Sequence, residues 1–194
     1  LTVTDNDGLT GTDIKSITVL NRSPFASFTE SATTVPTGTV IYFNASASHD
    51  SDGFIVSYFW TFGDGTNASG VTVSHAYADN GTYTVTLKVT DNDGATATAT
   101  AIKTITNRSP TASFTKDATT VYTGVVIHFN ASSSFDPDGW IVSYFWTFGD
   151  GTNATGVTAS HAYSDDRIYT VTLTIKDNDG ATATATSTVT VLNR

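Results

Sequence analysis

The chain has 194 residues, a formal net charge of −9 from nine basic and 18 acidic residues, and neither Cys nor Met. Scattered Lys and Arg give no basic stripe for a phosphate backbone, so nucleic acid is not an expected partner, and the missing Cys excludes a disulfide framework and thiolate metal sites. The length allows two modules that each bury a core, no window approaches the ~18 apolar residues of a membrane span, and a chain that begins at Leu1 without any Met is expected to be a processed or excised piece of a longer one.

Thr, Val, Ala and Ser dominate, the residues of pleated, half-buried strands, and Glu30 is the only glutamate. Asp suits turns and oxygen cages for hard cations, so the acidity is expected to be positional.

In chain order, residues 1–20 come first, with Leu1-Thr-Val-Thr matching Leu87 to Thr90 and Asp5-Asn6-Asp7-Gly8 matching Asp91-Asn92-Asp93-Gly94 at an offset of 86 positions. The same offset carries Phe28 onto Phe114, Trp60 onto Trp146 and Asn107 onto Asn193 without insertion or deletion. About seven positions in ten agree between the two full copies. The chain therefore divides into a C-terminal hairpin, strands F and G, of a preceding repeat (1–20) and complete repeats at 21–106 and 107–194.

Within the first full repeat, strand A is expected at Phe25 to Thr29 and strand B at Val40 to Ala45, with Ile41, Phe43 and Ala45 inward. Strand C should run from Ile55 to Phe62, with Val56, Tyr58, Trp60 and Phe62 on one face. Gly63-Asp64-Gly65-Thr66-Asn67 reads as a turn and Val71 to Tyr77 as a further strand. Another turn, Ala78-Asp79-Asn80-Gly81, leads to strand F with Tyr83, Val85, Leu87 and Val89 inward. Asp91-Asn92-Asp93-Gly94 is a hairpin signal before strand G at Ala95 to Ile105. Seven or so short strands around a central Trp describe an all-β, Ig-like Greek-key sandwich, here in tandem.

Several blocks make the pattern specific: Asn107-Arg108-Ser109-Pro110 with Phe114, Phe129 with Asp136-Pro137-Asp138-Gly139, Tyr144-Phe-Trp146-Thr-Phe148-Gly149-Asp150-Gly151, His161-Ala-Tyr163 and Tyr169-Thr-Val-Thr-Leu. Their order resembles the successive signatures of PKD (polycystic kidney disease) domains, over the whole chain. Thr61 and Thr147 stand where the family usually has Asp, and Ser51 replaces the Pro seen at Pro137. The resemblance implies extracellular spacer, adhesion or accessory modules and names no particular ligand.

The acidic loops are the leading candidate site. Ser48 to Gly53 spaces its acids like half an EF-hand loop, but position twelve is Phe59 and no helix flanks it, so it is not one. A sandwich places the B–C loop, the F–G hairpin and the start of strand A at one end. Asp50, Asp52, Asp91 and Asp93, with Asn21, should therefore converge, as should Asp136, Asp138, Asp177 and Asp179 with Asn107. Four carboxylates without a basic neighbour favour a calcium ion over simple turn formation, and some PKD-like domains resemble this and hold calcium there.

Seven sequons begin at Asn21, Asn44, Asn67, Asn80, Asn107, Asn130 and Asn153, and glycans are expected at several, though Asn21 and Asn107 precede Ser-Pro and are poor acceptors. Phe54 and Trp140 follow the acidic loops, while Phe25, Phe59 and Phe145 also point outward. They suit packing between repeats or chains better than a sugar or collagen platform. No nucleophile elbow, phosphate loop or metal His pair is present, and His75 and His161 read as structural. The first expectation is a non-enzymatic cell-surface or extracellular protein, a surface layer, stalk, filament or adhesion array with calcium-stiffened joints, whose partners are adjacent repeats or other copies of itself. The alternative is the accessory region of a secreted protease or chitinase that engages polysaccharide or a matrix protein.

Overall fold

The computed structural model describes residues 1–194. All of its regular structure is strand. The leading segment forms an isolated antiparallel hairpin of β1 (Thr2–Thr4) and β2 (Thr10–Thr12), closed by Asp5, whose Oδ1 accepts the Asp7 and Leu9 amides at 3.0 and 2.9 Å. Every residue from 1 to 23 is exposed, including Ile14, Ile17, Val19 and Leu20.

Repeat 1 comprises β3 (Thr29–Glu30), β4 (Thr34–Pro36), β5 (Ile41–Asn44), β6 (Ile55–Thr61), β7 (Asn67–Ser69), β8 (Thr72–His75), β9 (Gly81–Asp91) and β10 (Thr96–Thr106). Repeat 2 follows as β11 (Thr115–Lys116), β12 (Thr120–Tyr122), β13 (Val126–Asn130), β14 (Ile141–Thr147), β15 (Asn153–Thr155), β16 (Thr158–Ala162), β17 (Ile168–Asp177) and β18 (Thr182–Leu192). In each repeat a three-stranded sheet, β3-β5-β8 or β11-β13-β16, faces a five-stranded sheet, β4-β10-β9-β6-β7 or β12-β18-β17-β14-β15.

Period-two alternation fills the space between the sheets. Ile41, Phe43 and Ala45 enter from one side and Val85, Leu87 and Val89 from the other, all at most 1% exposed. Trp60 and Trp146 are fully buried at the centre, and their indole N–H groups donate to Gly70 O and Gly156 O at 2.9 and 2.8 Å, which satisfies the one polar atom of each ring. Phe28 meets Trp60 edge-on at 5.1 Å. Gly63 has φ +86°, and a Cβ there would lie 2.8 Å from Thr84 O, so only glycine lets this turn press against strand β9.

Three expectations are corrected. Strand A does not run from Phe25 to Thr29: Phe25 makes a lone bridge to His49, pairing resumes at Thr29–Glu30, and the chain then crosses to the other sheet, where β4 lies parallel to β10. Val56 does not face the core. The ladder slips between Ile55 and Ser57, a β-bulge that turns Val56 outward and Ile55 inward, and Val142 repeats it. Asn67 and Asn153, expected on turns, open the edge strands β7 and β15.

Candidate functional site

The B–C loop, the F–G hairpin and the entering linker meet at one end of each sandwich. Asp91, 1% exposed, organises the hairpin: its Oδ1 accepts the amides of Asp93 and Ala95 at 3.0 and 2.8 Å, and its Oδ2 accepts Asn21 Nδ2 at 3.0 Å. The Asn21 amide is the main reason this carboxyl lies below its ordinary value, against the opposing effect of burial. Asp177 repeats the arrangement with Asn107 at 2.8 Å; burial alone would raise it, and Asn107 together with the hairpin amides brings it down.

Asp50 and Asp136 are the opposite case. Burial, then the neighbouring Asp52 or Asp138, pushes each carboxyl upward. Both oxygens of each are buried without a hydrogen-bond partner, and so are Asp138 Oδ1 and Asn107 Oδ1. Orphaned buried oxygens are rare and call for a compensating donor or ion. The glycines of the loop hold the hairpin against them: a Cβ on Gly53 would fall on Asn92 Oδ1 and 2.7 Å from Asp50 Oδ2, and Gly139 stands likewise over Asn178 and Asp136. Asn92 and Asn178 staple loop to hairpin by accepting the amides of Phe54 and Trp140, each at 2.9 Å.

The candidate set thus separates. Asp50, Asp52, Asp91 and Asn21 gather in repeat 1, and Asp136, Asp138, Asp177 and Asn107 in repeat 2. Asp93 and Asp179 stay exposed, each accepting from its neighbouring Asn, at 2.9 and 2.7 Å. No three acidic or imidazole side chains close into a cage. The unpartnered atoms of the cluster are all oxygens, and none of its carboxylates forms an ion pair with a Lys or Arg side chain, which is the donor chemistry a hard cation takes. Repeat 2 is the more enclosed of the two. Asp138 is half-buried whereas Asp52 is exposed, and Asp138 Oδ2 accepts both the Arg108 amide and the Thr37 hydroxyl of the preceding repeat, at 2.9 and 2.5 Å.

Among the sequons, Asn44, Asn67, Asn80, Asn130 and Asn153 are exposed. In Asn21 and Asn107 the nitrogen that would carry a glycan is the one donated to Asp91 and Asp177. Phe54 and Trp140 are 64% and 66% exposed beside the acidic cluster.

Two arrangements were missed from sequence. His75 Nε2 lies 2.7 Å from Asp64 Oδ2 and its ring stacks on Phe62 at 4.2 Å, repeated by His161, Asp150 and Phe148. Recurrence of the His and the Asp at the same offset was the available signal. Lys103 is wholly buried and contacts Glu30 Oε1 across the core. Its inward parity in Ala97-x-Ala99-x-Ala101-x-Lys103-x-Ile105, with a lone glutamate on strand A, was the signal there.

A 63-residue segment is 46% identical to a microbial collagenase of Vibrio alginolyticus, covering 32% of this chain and 8% of the collagenase. A 104-residue segment is 38% identical to the pre-pro-metalloprotease PrtV of Vibrio cholerae, covering 54% of this chain and 11% of that protein. The chain thus spans about a tenth of the length of these curated relatives. Among solved structures, the PKD1 domain of Vibrio anguillarum Epp is 38% identical, with a TM-score of 0.40, covering 44% of this chain and 96% of that domain. The family model of the PKD domain matches residues 21–106 and again residues 107–191, so the chain belongs to the PKD domain family as a tandem pair.

Proposed function

We propose that this chain is a non-catalytic, extracellular accessory region of a secreted protease, a stiff spacer that holds the catalytic part at a polymeric substrate. The observation that carries this reading is that both repeats match a family whose members form small parts of a collagenase and a metalloprotease. Two open grooves of about 600 and 580 Å³ lie across the three-stranded sheets, around Tyr42 and His128. These shapes suit surface contact better than enclosure of a small substrate. On this reading the exposed rings of Phe54 and Trp140 would touch the polymer.

Sedimentation with insoluble collagen and with chitin tests this. The full chain should be retained on one of them and released by Trp140→Ala; equal retention of the variant would remove Trp140 from the contact. Absence of binding to both would favour a second reading, a stalk or surface array, which the near-identical tandem copies support.

The acidic ends extend the proposal. Asp50 with Asp52 and Asn21, and Asp136 with Asp138 and Asn107, would hold calcium, which supplies the positive charge their buried oxygens lack. Extracellular oxygen sites of this kind bind with Kd of ~10⁻⁴ to 10⁻³ M, and saturation at roughly ten times Kd stabilises by about 1 to 2 kcal/mol. Calorimetry should show calcium uptake that Asp136→Asn diminishes; no uptake would leave only the turn-forming role. Glycans on the exposed sequons would raise the mass of natively produced material above 20.4 kDa, and a mass equal to the sequence would remove them.

A further inference from the structure

We propose that Thr37 and Asp138 form an interlock that fixes one repeat against the next, so that the pair holds a set orientation instead of swinging on its linker. Thr37 sits on the turn after β4, where its amide donates to Thr106 O at 3.1 Å, at the end of its own repeat's last strand. Its hydroxyl crosses the joint to Asp138 Oδ2 at 2.5 Å, and the same oxygen accepts the Arg108 amide at 2.9 Å. A hydroxyl donating to a carboxylate is among the stronger hydrogen bonds.

The chain supplies its own control. Thr123 occupies the place of Thr37 in repeat 2 and keeps the backbone bond, to Leu192 O at 3.0 Å, yet it is only half-buried whereas Thr37 is 3% exposed. Asp52 occupies the place of Asp138 and still accepts the Arg22 amide at 3.1 Å, yet it is exposed. The local turns are therefore the same in both repeats, and what differs is the docked neighbour.

The linker leaves no slack. Thr106 belongs to β10 and accepts from Thr37, Asn107 Nδ2 donates to Asp177, and Arg108 N donates to Asp138. Facing surfaces tied this closely meet at high effective concentration, so one charge-assisted hydrogen bond suffices to select an orientation. Thr37, Gly38 and Ala78 on one side and Arg108, Pro137 and Asp138 on the other line the crevice between the repeats. The partner of the Asp138 loop is thus the Thr-Gly turn of the repeat before it. This goes beyond the calcium reading and does not need the ion, since the interlock uses Oδ2 of Asp138 and the orphaned oxygen is Oδ1.

The chain has no Cys, so nitroxides can be placed at Ser69→Cys and Thr155→Cys, exposed sites on separate repeats, and their separation read by double electron–electron resonance with calcium and with chelator. The wild-type residues at the joint should give one narrow distribution in both. Thr37→Val should broaden it at least about twofold, as expected for modules freed onto a linker, while Thr37→Ser and Thr123→Val keep it narrow and melting shows both repeats folded. A Thr37→Val distribution as narrow as the parent's, or a parent distribution that is broad without calcium, overturns the interlock. Calcium uptake failing while the distribution stays narrow overturns the cation reading alone.

Discussion

The buried pair of Lys103 and Glu30 is expected to be a liability in repeat 1 that appears once one partner is removed. Lys103 is 0% exposed and Glu30 Oε2 is buried without a partner, so the cation and the anion depend on each other. Repeat 2 solves the same position differently, with Val189, also 0% exposed, in place of Lys103. Lys116 stands in place of Glu30, its ammonium donating to Ser187 Oγ at 2.8 Å. Glu30→Ala strands an ammonium in the core, and breaking a buried pair in this way costs about 3 to 5 kcal/mol. Because the Glu30 side chain keeps 18% of its surface in solvent, the lower end applies, about 3 kcal/mol, which lowers the melting temperature of a domain this size by roughly 12 to 24 °C. Glu30→Leu with Lys103→Met removes both charges at similar volume and should melt near or above the parent. Differential scanning calorimetry reads both variants, with repeat 2 as an internal reference. If Glu30→Ala and the double variant lose equal stability, side-chain packing and not the unpaired charge is responsible, and the reasoning fails.

The carboxyls of Asp64 and Asp150 give a second expectation. Burial raises them, but the Thr66 or Thr152 hydroxyl and amide and the facing His outweigh it, and both end below the ordinary 3.8. A depressed carboxyl contributes stability in full above its unfolded value and loses it as pH falls through the folded one, so Asp64→Asn should flatten the acid limb of repeat 1 in denaturation followed below pH 4; an unchanged limb would remove the effect. Third, Gly139→Ala drives a methyl into Asn178 and Asp136, so repeat 2 should lose about 1 to 3 kcal/mol in urea unfolding, and a change within about 0.5 kcal/mol, the scatter of ordinary surface substitutions, would mean the hairpin shifts freely.

Much of this was legible because alternation is a local property. Ile41, Phe43, Val85 and Leu87 each show their inward parity within a few residues, and the offset of Trp60 to Trp146 exposes the repeat without any structural input. The bulge at Val56 was not legible, because Ile-Val-Ser-Tyr-Phe-Trp carries apolar residues at both parities, and only pairing with β9 decides between them. The crossing of strand A between sheets was hidden for a related reason: Pro36 tolerates a strand end, and the parallel partner lies some 70 residues away. Topology alone brings the B–C loop beside the F–G hairpin, yet Asp91 and Asp93 look alike in Asp-Asn-Asp-Gly. One is buried by accepting hairpin amides and the other is left in solvent. The Thr37 contact joins two modules, and no periodicity within either one carries it.

The parallel pairing of β4 with β10 has a consequence for load. Thr34, Val35 and Pro36 lie beside Thr104, Ile105 and Thr106, near the entry and the exit of the repeat, and β12 against β18 repeats the geometry with Thr120 to Tyr122 beside Thr190 to Leu192. Tension applied at the two ends pulls these strands in opposite directions along their own axes. Inter-strand hydrogen bonds lie across that axis, so a pull along it shears the ladder as a set and does not open it one bond at a time. A tethered string of such repeats would therefore resist stretching by yielding one whole module at a time, and the short strands that the sequence hides most completely are the clamps that set the force at which each lets go.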